Sequence, residues 1–154
     1  MFVGAGIAGG ISVASSDAMK VLVCTDFSAA AATAEREAAA RLPDAVLILF
    51  HAVDPCVVRG VADRTGLDRD ELRTRFLDFA DVRMKEIAER LESRGRHVVN
   101  ELHEGDPVDA ALATAAKHGV ALIVVGGVAG DGARFRTGLA RRSRWPVLVV
   151  PIEG

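Results

Sequence analysis

The stretch DPVDAALATAAKHGVALIVVGG, residues 106–127, contains a complete helix-to-strand unit and decides how the rest of the chain is read. Asp106 is a residue type that caps helix N-termini, and Pro107 falls at the first helical position, where its missing N–H costs nothing. Alanines of high helix propensity carry the segment to His118, and Gly119 supplies the left-handed residue that closes a helix. The chain then turns directly into VALIVVGG, 120–127, an unbroken apolar run. A strand that is apolar on both faces is buried on both, as in a parallel sheet covered by helices.

The same alternation extends in both directions. KVLVCTD, 20–26, is a short apolar strand ending at Asp26, and Ser28 caps the alanine-rich helix 29–42, which Pro43 and Asp44 end. AVLILFHAV, 45–53, is a second apolar strand. Residues 54–67, with Pro55, Gly60 and Gly66, read as a long loop. Asp68 and Glu71 form a capping-box pattern that opens a long amphipathic helix to about residue 94, with Leu72, Phe76, Phe79, Ile87 and Leu91 near helical spacing. HVVNELH, 97–103, suits a third strand, and an arginine-rich helix leads to a fifth, PVLVVP, at 146–151. Parallel strands need crossovers, so the class is α/β, a doubly wound sheet of five parallel strands. Ligands in such sheets sit beyond the carboxyl ends of the strands, where the strand order reverses. With the order 3-2-1-4-5, the loop at Asp26, Phe27 and Ser28 faces Gly126 and Gly127 across that crevice; the pattern alone does not fix the order.

The 154 residues suit one domain, half of them hydrophobic and 26% charged. A net charge of −2 argues against a general polyanion binder. No segment reaches the roughly 18 uninterrupted apolar residues of a membrane span, so no membrane association is expected. Cys24 and Cys56 match neither a metal spacing nor a disulfide framework, which makes the cytoplasm the default address. Tyrosine is absent, so the core is expected to be aliphatic, with the six Phe and Trp145 as its large fillers.

Gly4, Gly6 and Gly9 in MFVGAGIAGG match the dinucleotide fingerprint letter for letter. Only three residues precede them, the following ISVASSDAMK is too short and too rich in serine for the required helix, and no acidic residue closes a second strand about 20 residues on. No basic residue precedes the apolar run, as a signal peptide would require. Residues 1–18 therefore read as an N-terminal extension, with the domain over 19–154.

His51, His103 and Asp26 would share the functional side of the sheet, but nothing in their spacing resembles a metal ligand set, and they read as polar strand ends. Cys24, in mid-strand, reads as a buried, inert thiol. The basic run 134–144 has only Phe135 and Trp145 as aromatics, both assigned to the core, so nucleic acid is disfavoured as a partner. No residue order suggests a Ser-His-Asp set, and no catalytic residue is assigned.

Four segments, VLVCTDFS at the first strand, LILFHAVDP at the second, HEGDPVDAALATAAKHGVALIVVGG through the fourth and PVLVVP at the end, occur in the order and at the separations of one known family. In these segments the chain, from Lys20 to Pro151, resembles the universal stress protein family. The resemblance implies an adenine nucleotide alpha hydrolase-like fold of order 3-2-1-4-5. It also implies a homodimer through the last strand, Pro146 to Pro151, and a cytoplasmic stress-response role through binding rather than turnover. Some members bind ATP with a G-x2-G-x9-G-[ST] motif after the fourth strand. Carried over by position, Asp26, with Thr25, Phe27 and Ser28 around it, matches an acidic residue near the adenine base. Ala52, followed by Val53, matches the second-strand position, and Gly126 the first motif glycine.

Beyond that glycine the chain departs from the family. The second glycine position is Ala129; pairing Gly127 with Gly130 restores the spacing but shifts the loop. The interval from Gly126 to Pro146 is too short for the spacer, the Gly-Ser pair and the following helix, and counting back from Pro146 places that pair at Ala133 and Arg134. The remaining glycines could still form a nest of backbone N–H groups, and Arg134 and Arg136 could hold a phosphate of ATP or AMP, while Asp131 would repel it. The balance falls toward weakened or lost nucleotide binding. Slow ATP hydrolysis and a nucleotide-independent interaction module are the alternatives.

Overall fold

The computed structural model describes residues 17–127 and 133–151. Its elements in chain order are β1 (Lys20–Cys24), α1 (Ala29–Arg41), β2 (Val46–Val53), α2 (Pro55–Thr65), α3 (Arg69–Glu92), β3 (His97–Glu104), α4 (Pro107–His118), β4 (Leu122–Gly127), α5 (Ala133–Arg142) and β5 (Val147–Pro151). All five strands pair in parallel in the order β3-β2-β1-β4-β5, which confirms the doubly wound sheet. β1 is central, with Leu22 opposite Ile48 on one side and Ile123 on the other.

The pleat sends alternate residues of each strand to opposite faces, so one run of apolar sequence feeds two cores. Val21, Val23, Leu47, Leu49 and Val124 pack with Ala34 and Ala38 of α1 and Met84, Ile87 and Leu91 of α3. Leu22, Ile48, Phe50, Ile123 and Val125 pack on the other face with Ala111 and Ala115 of α4 and Leu139 of α5. Among the described aromatics only Phe50 is a fully buried filler; Phe135 and Trp145 are half-buried against the second core. Phe79 lies 59% exposed, against expectation, because the buried stripe of α3 runs through Leu72, Ala80, Met84, Ile87 and Leu91 and passes it by.

The expected loop at 54–67 is instead the helix α2. Asp54 caps it, its side chain accepting from the Cys56 N–H at 2.8 Å; Pro55 opens it, and Gly66, at φ 76°, closes it. Two of the three residues read as breakers are thus the terminators that a helix uses. The third, Gly60, sits inside the helix at only the propensity cost of about 1 kcal/mol. α2 packs Val58 and Ala62 against Val53 and Leu72 in a small third core at the carboxyl end of β2.

α1 lies very close to the sheet. A methyl group on Gly126 would land on the Ala30 carbonyl and come within 2.8 Å of the Ala31 nitrogen. A methyl group on Gly127 would clash only with the side chain of Val149, which is nearly half exposed and can turn away. Gly126→Ala is therefore expected to cost about 1–3 kcal/mol of stability and Gly127→Ala clearly less, read from urea unfolding midpoints. Equal costs would contradict the backbone contact.

Candidate functional site

Beyond the carboxyl ends of β1, β2 and β4 lies a crevice of about 690 Å³, within the range of small-molecule sites. It occupies the point where the strand order reverses, with α1 leaving β1 toward one face and α4 and α5 covering the other. Buried Cys24, Phe50 and Val125 form its apolar floor, and Asp26, Ser28, Asp54, Gly126 and Arg136 also line it.

Thr25 holds the turn from β1 into α1. Its N–H donates to the Phe50 carbonyl at 2.9 Å, its carbonyl accepts from His51 Nδ1 at 2.7 Å, and its Oγ1 accepts from the Phe27 N–H at 3.0 Å. The Thr25 side chain also hydrogen-bonds Glu35, a buried carboxyl of α1 itself. Burial pushes the Glu35 pKa up, against that hydrogen bond and the charges of Arg90, Arg36 and Arg83. Asp26 Oδ1 accepts from the Ser28 N–H at 3.0 Å, and Ser28 Oγ caps α1 by accepting from the Ala31 N–H at 3.1 Å.

Phe27, between them, takes a left-handed conformation at φ 67°, which costs a non-glycine residue on the order of 1–3 kcal/mol. Its ring packs 4.5 Å from that of His51 and edge-on to Phe79 at 5.8 Å. Burial lowers the His51 pKa below 6.5, outweighing the Thr25 carbonyl and the Asp26 charge, so the ring is neutral at pH 7 with its Nδ1 proton on that carbonyl. The Cys24 thiol is pushed far above its ordinary value by burial and stays protonated.

Of the residues expected from sequence, Thr25, Asp26, Ser28, Ala52, Val53, Gly126 and Arg136 all line this crevice. Phe27 stands beside it against His51, while Gly127 and Arg134 do not line it. Gly130, Ala129 and Asp131, like Gly4, Gly6 and Gly9, lie outside the described residues. The sequence reading missed Asp54, Val57 and Phe76, which α2 and α3 bring to the wall. The signal was present: the Asp54-Pro55 pair repeats the Asp106-Pro107 pair that was read correctly as a helix start.

His103 does not join His51 and Asp26. It belongs to a polar cluster at the edge of the sheet, where one carboxylate, Glu101, accepts from His103 Nε2 at 2.8 Å, Lys117 Nζ at 2.9 Å and His118 Nε2 at 2.6 Å. Burial raises the Glu101 pKa, but hydrogen bonds from His118, Lys117 and His103 outweigh it and hold the carboxyl at about 2. Among the described residues, no group of three or more His, Cys, Asp or Glu is placed to hold a metal ion.

Fold and site together define a doubly wound α/β protein with a small-molecule crevice at the switch point. The universal stress protein family model matches residues 18–151, and the chain belongs to that family. No curated protein sequence matches. Among solved structures, the chain is similar to hypothetical protein MJ0577 at 26% identity and TM-score 0.74, over 88% of this chain and 96% of that one. A universal stress protein in complex with cAMP is 25% identical with TM-score 0.55, covering 86% and 95% of the two chains. One from Archaeoglobus fulgidus in complex with dAMP is 21% identical with TM-score 0.62, covering 86% and 97%.

Two groups weaken the fold in acid, while the raised Glu35 pKa acts in the opposite sense above its ordinary 4.5. A lowered histidine pKa gives stability that is present above its ordinary 6.5 and lost as the pH falls below it. The lowered Glu101 pKa gives stability that is full above 4.5 and lost as the pH falls toward 2. Urea midpoints should therefore drop in two windows, with His51→Asn flattening the upper and Glu101→Gln the lower; an unchanged profile in either variant would refute its assignment.

Proposed function

We propose that the chain binds an adenine nucleotide in the crevice and acts through binding rather than turnover. The observation that carries this is convergence: Asp26, Ala52 and Gly126, from three different strand ends, line one crevice of small-molecule size. Asp26 and the backbone at Ala52 and Val53 hold the base and ribose, and the Gly126 backbone with Arg136 holds the phosphate. The broken glycine motif weighs against a full ATP cradle, but most of the crevice wall comes from β1, α1, β2, α2 and α3, which lie outside the shortened interval. The similar protein in complex with cAMP supports the same use of the fold.

The setting of this binding is a cytoplasmic stress response by a homodimer joined through Pro146 to Pro151. Leu148 and Val149 of the edge strand β5 are nearly half exposed and suit such a joint. Leu148→Glu should then shift the protein toward monomer in sedimentation.

Isothermal titration with AMP should give saturable heat, and Asp26→Ala should weaken binding by about tenfold or more, the worth of one hydrogen bond to a charged group. Absence of heat at millimolar AMP, ATP and adenosine alike would overturn the reading.

A further inference from the structure

We infer that the outer face of α3 is a docking surface for a second copy of this chain, the two α3 helices lying antiparallel about a two-fold axis that passes between Ala80 and Asp81. This is independent of the nucleotide reading above.

Phe79 and Val82 form the centre of the face. They stand 59% and 57% exposed on one turn of a 24-residue helix, away from the stripe of Leu72, Ala80, Met84, Ile87 and Leu91 that α3 buries. Single exposed apolar side chains are ordinary, but an adjacent pair ringed by charges marks an interaction site. Phe79 is also held in place, because its ring meets that of Phe27 edge-on at 5.8 Å. A side chain that is already ordered loses little freedom on docking.

The charges around the pair identify the partner. At helical spacing the same face carries Glu71, Arg75 and Asp78 before the pair and Arg83, Glu86 and Arg90 after it, all exposed. In chain order the first arm runs negative, positive, negative, and the second runs positive, negative, positive. An antiparallel copy therefore sets Asp78 against Arg83, Arg75 against Glu86 and Glu71 against Arg90. Each pair occurs twice, because a two-fold contact uses the same patch on both copies. The same register places Phe79 of one copy on Val82 of the other. Asp68 and Glu89, the remaining charges on this face, come opposite Ser93 and Leu72, so no like charges are opposed. A parallel helix would set every charge against itself.

Other occupants fit less well. A membrane surface or a polyanion calls for an excess of cations, and here the acids outnumber the bases. Within one chain Arg75 reaches Glu71 at 3.1 Å and Arg83 reaches Glu86 at 4.0 Å, while the Arg83 guanidinium lies 5.9 Å from the Phe27 ring centroid. Such exposed pairs are weak, and a carboxylate has lone pairs for a second cation, so they do not compete with docking. One helix against one helix buries less than the roughly 1,200 Å² of a standard interface, so the association is weak and its register electrostatic.

The test is sedimentation of the full chain at concentrations up to about 1 mM, where weak complexes form. It is run with Leu148→Glu, which removes the β5 edge as a joint, and on the unaltered sequence in parallel. The Leu148→Glu chain should still pass from monomer to dimer as its concentration rises, and added salt should oppose this. In that background Phe79→Ser should abolish the dimer. Arg75→Glu and Glu86→Arg should each weaken it about tenfold or more, since each places two like-charged pairs across the axis. An equimolar mixture of these two variants should recover the parent's association, because each then meets its opposite in the other. Asp78→Arg mixed with Arg83→Asp repeats the test if one of the first pair fails to fold. A chain that stays monomeric throughout, single variants that associate like the parent, or a mixture no tighter than its components would overturn the inference.

Discussion

The backbone of α1 rests directly on Gly126, with the Ala30 carbonyl occupying the place of a side chain. Much of the structure depends on that contact. The alanines at 30, 31, 34 and 38 keep the buried face of α1 thin enough to reach the sheet, and there it covers Val21, Val23 and Val124. A bulkier residue at the contact would lift the helix and expose this core, at about 25 cal/mol for each Å² of apolar surface returned to water. The same contact sets the mouth of α1 against the end of β4, so the width of the crevice follows from packing.

Polar satisfaction stiffens what packing has placed. Thr25 bonds through its N–H, its carbonyl and its hydroxyl, Asp26 and Ser28 each accept from the turn that carries them, and His51 joins the ends of β1 and β2. The strained Phe27 is held within this network and by aromatic contacts on two sides. A crevice built this way is formed before any ligand arrives, which spares the ligand the cost of ordering it.

The layering could be read from the sequence because each apolar strand is bounded by capping and terminating residues, as in 106–127. Strand order could not, since hydrophobic pattern records burial and not neighbours; it came from the family resemblance. α2 was hidden because Pro and Gly mark loops and helix ends with the same letters, and only the cap at Asp54 separates the two cases. Phe79 was placed in the core because it is large and near the right spacing, yet the stripe of α3 passes through the smaller Ala80. In the site, strand-end residues such as Asp26, Ala52 and Gly126 were legible because topology alone brings strand ends together. Arg134 and Arg136 were not separable, because which of them turns inward depends on the start and rotation of α5, which the sequence does not specify.

The two cysteines differ sharply in chemistry. Cys24 is buried in the crevice floor as a protonated thiol, while Cys56 stands exposed in the first turn of α2, between the lining residues Asp54 and Val57. Thiol reagents act on accessible thiolates, so toward them the folded chain behaves as a protein with a single cysteine. Nature has thus supplied an attachment point for a fluorophore or spin label at the crevice wall, and the native sequence can report the arrival of a ligand without being altered.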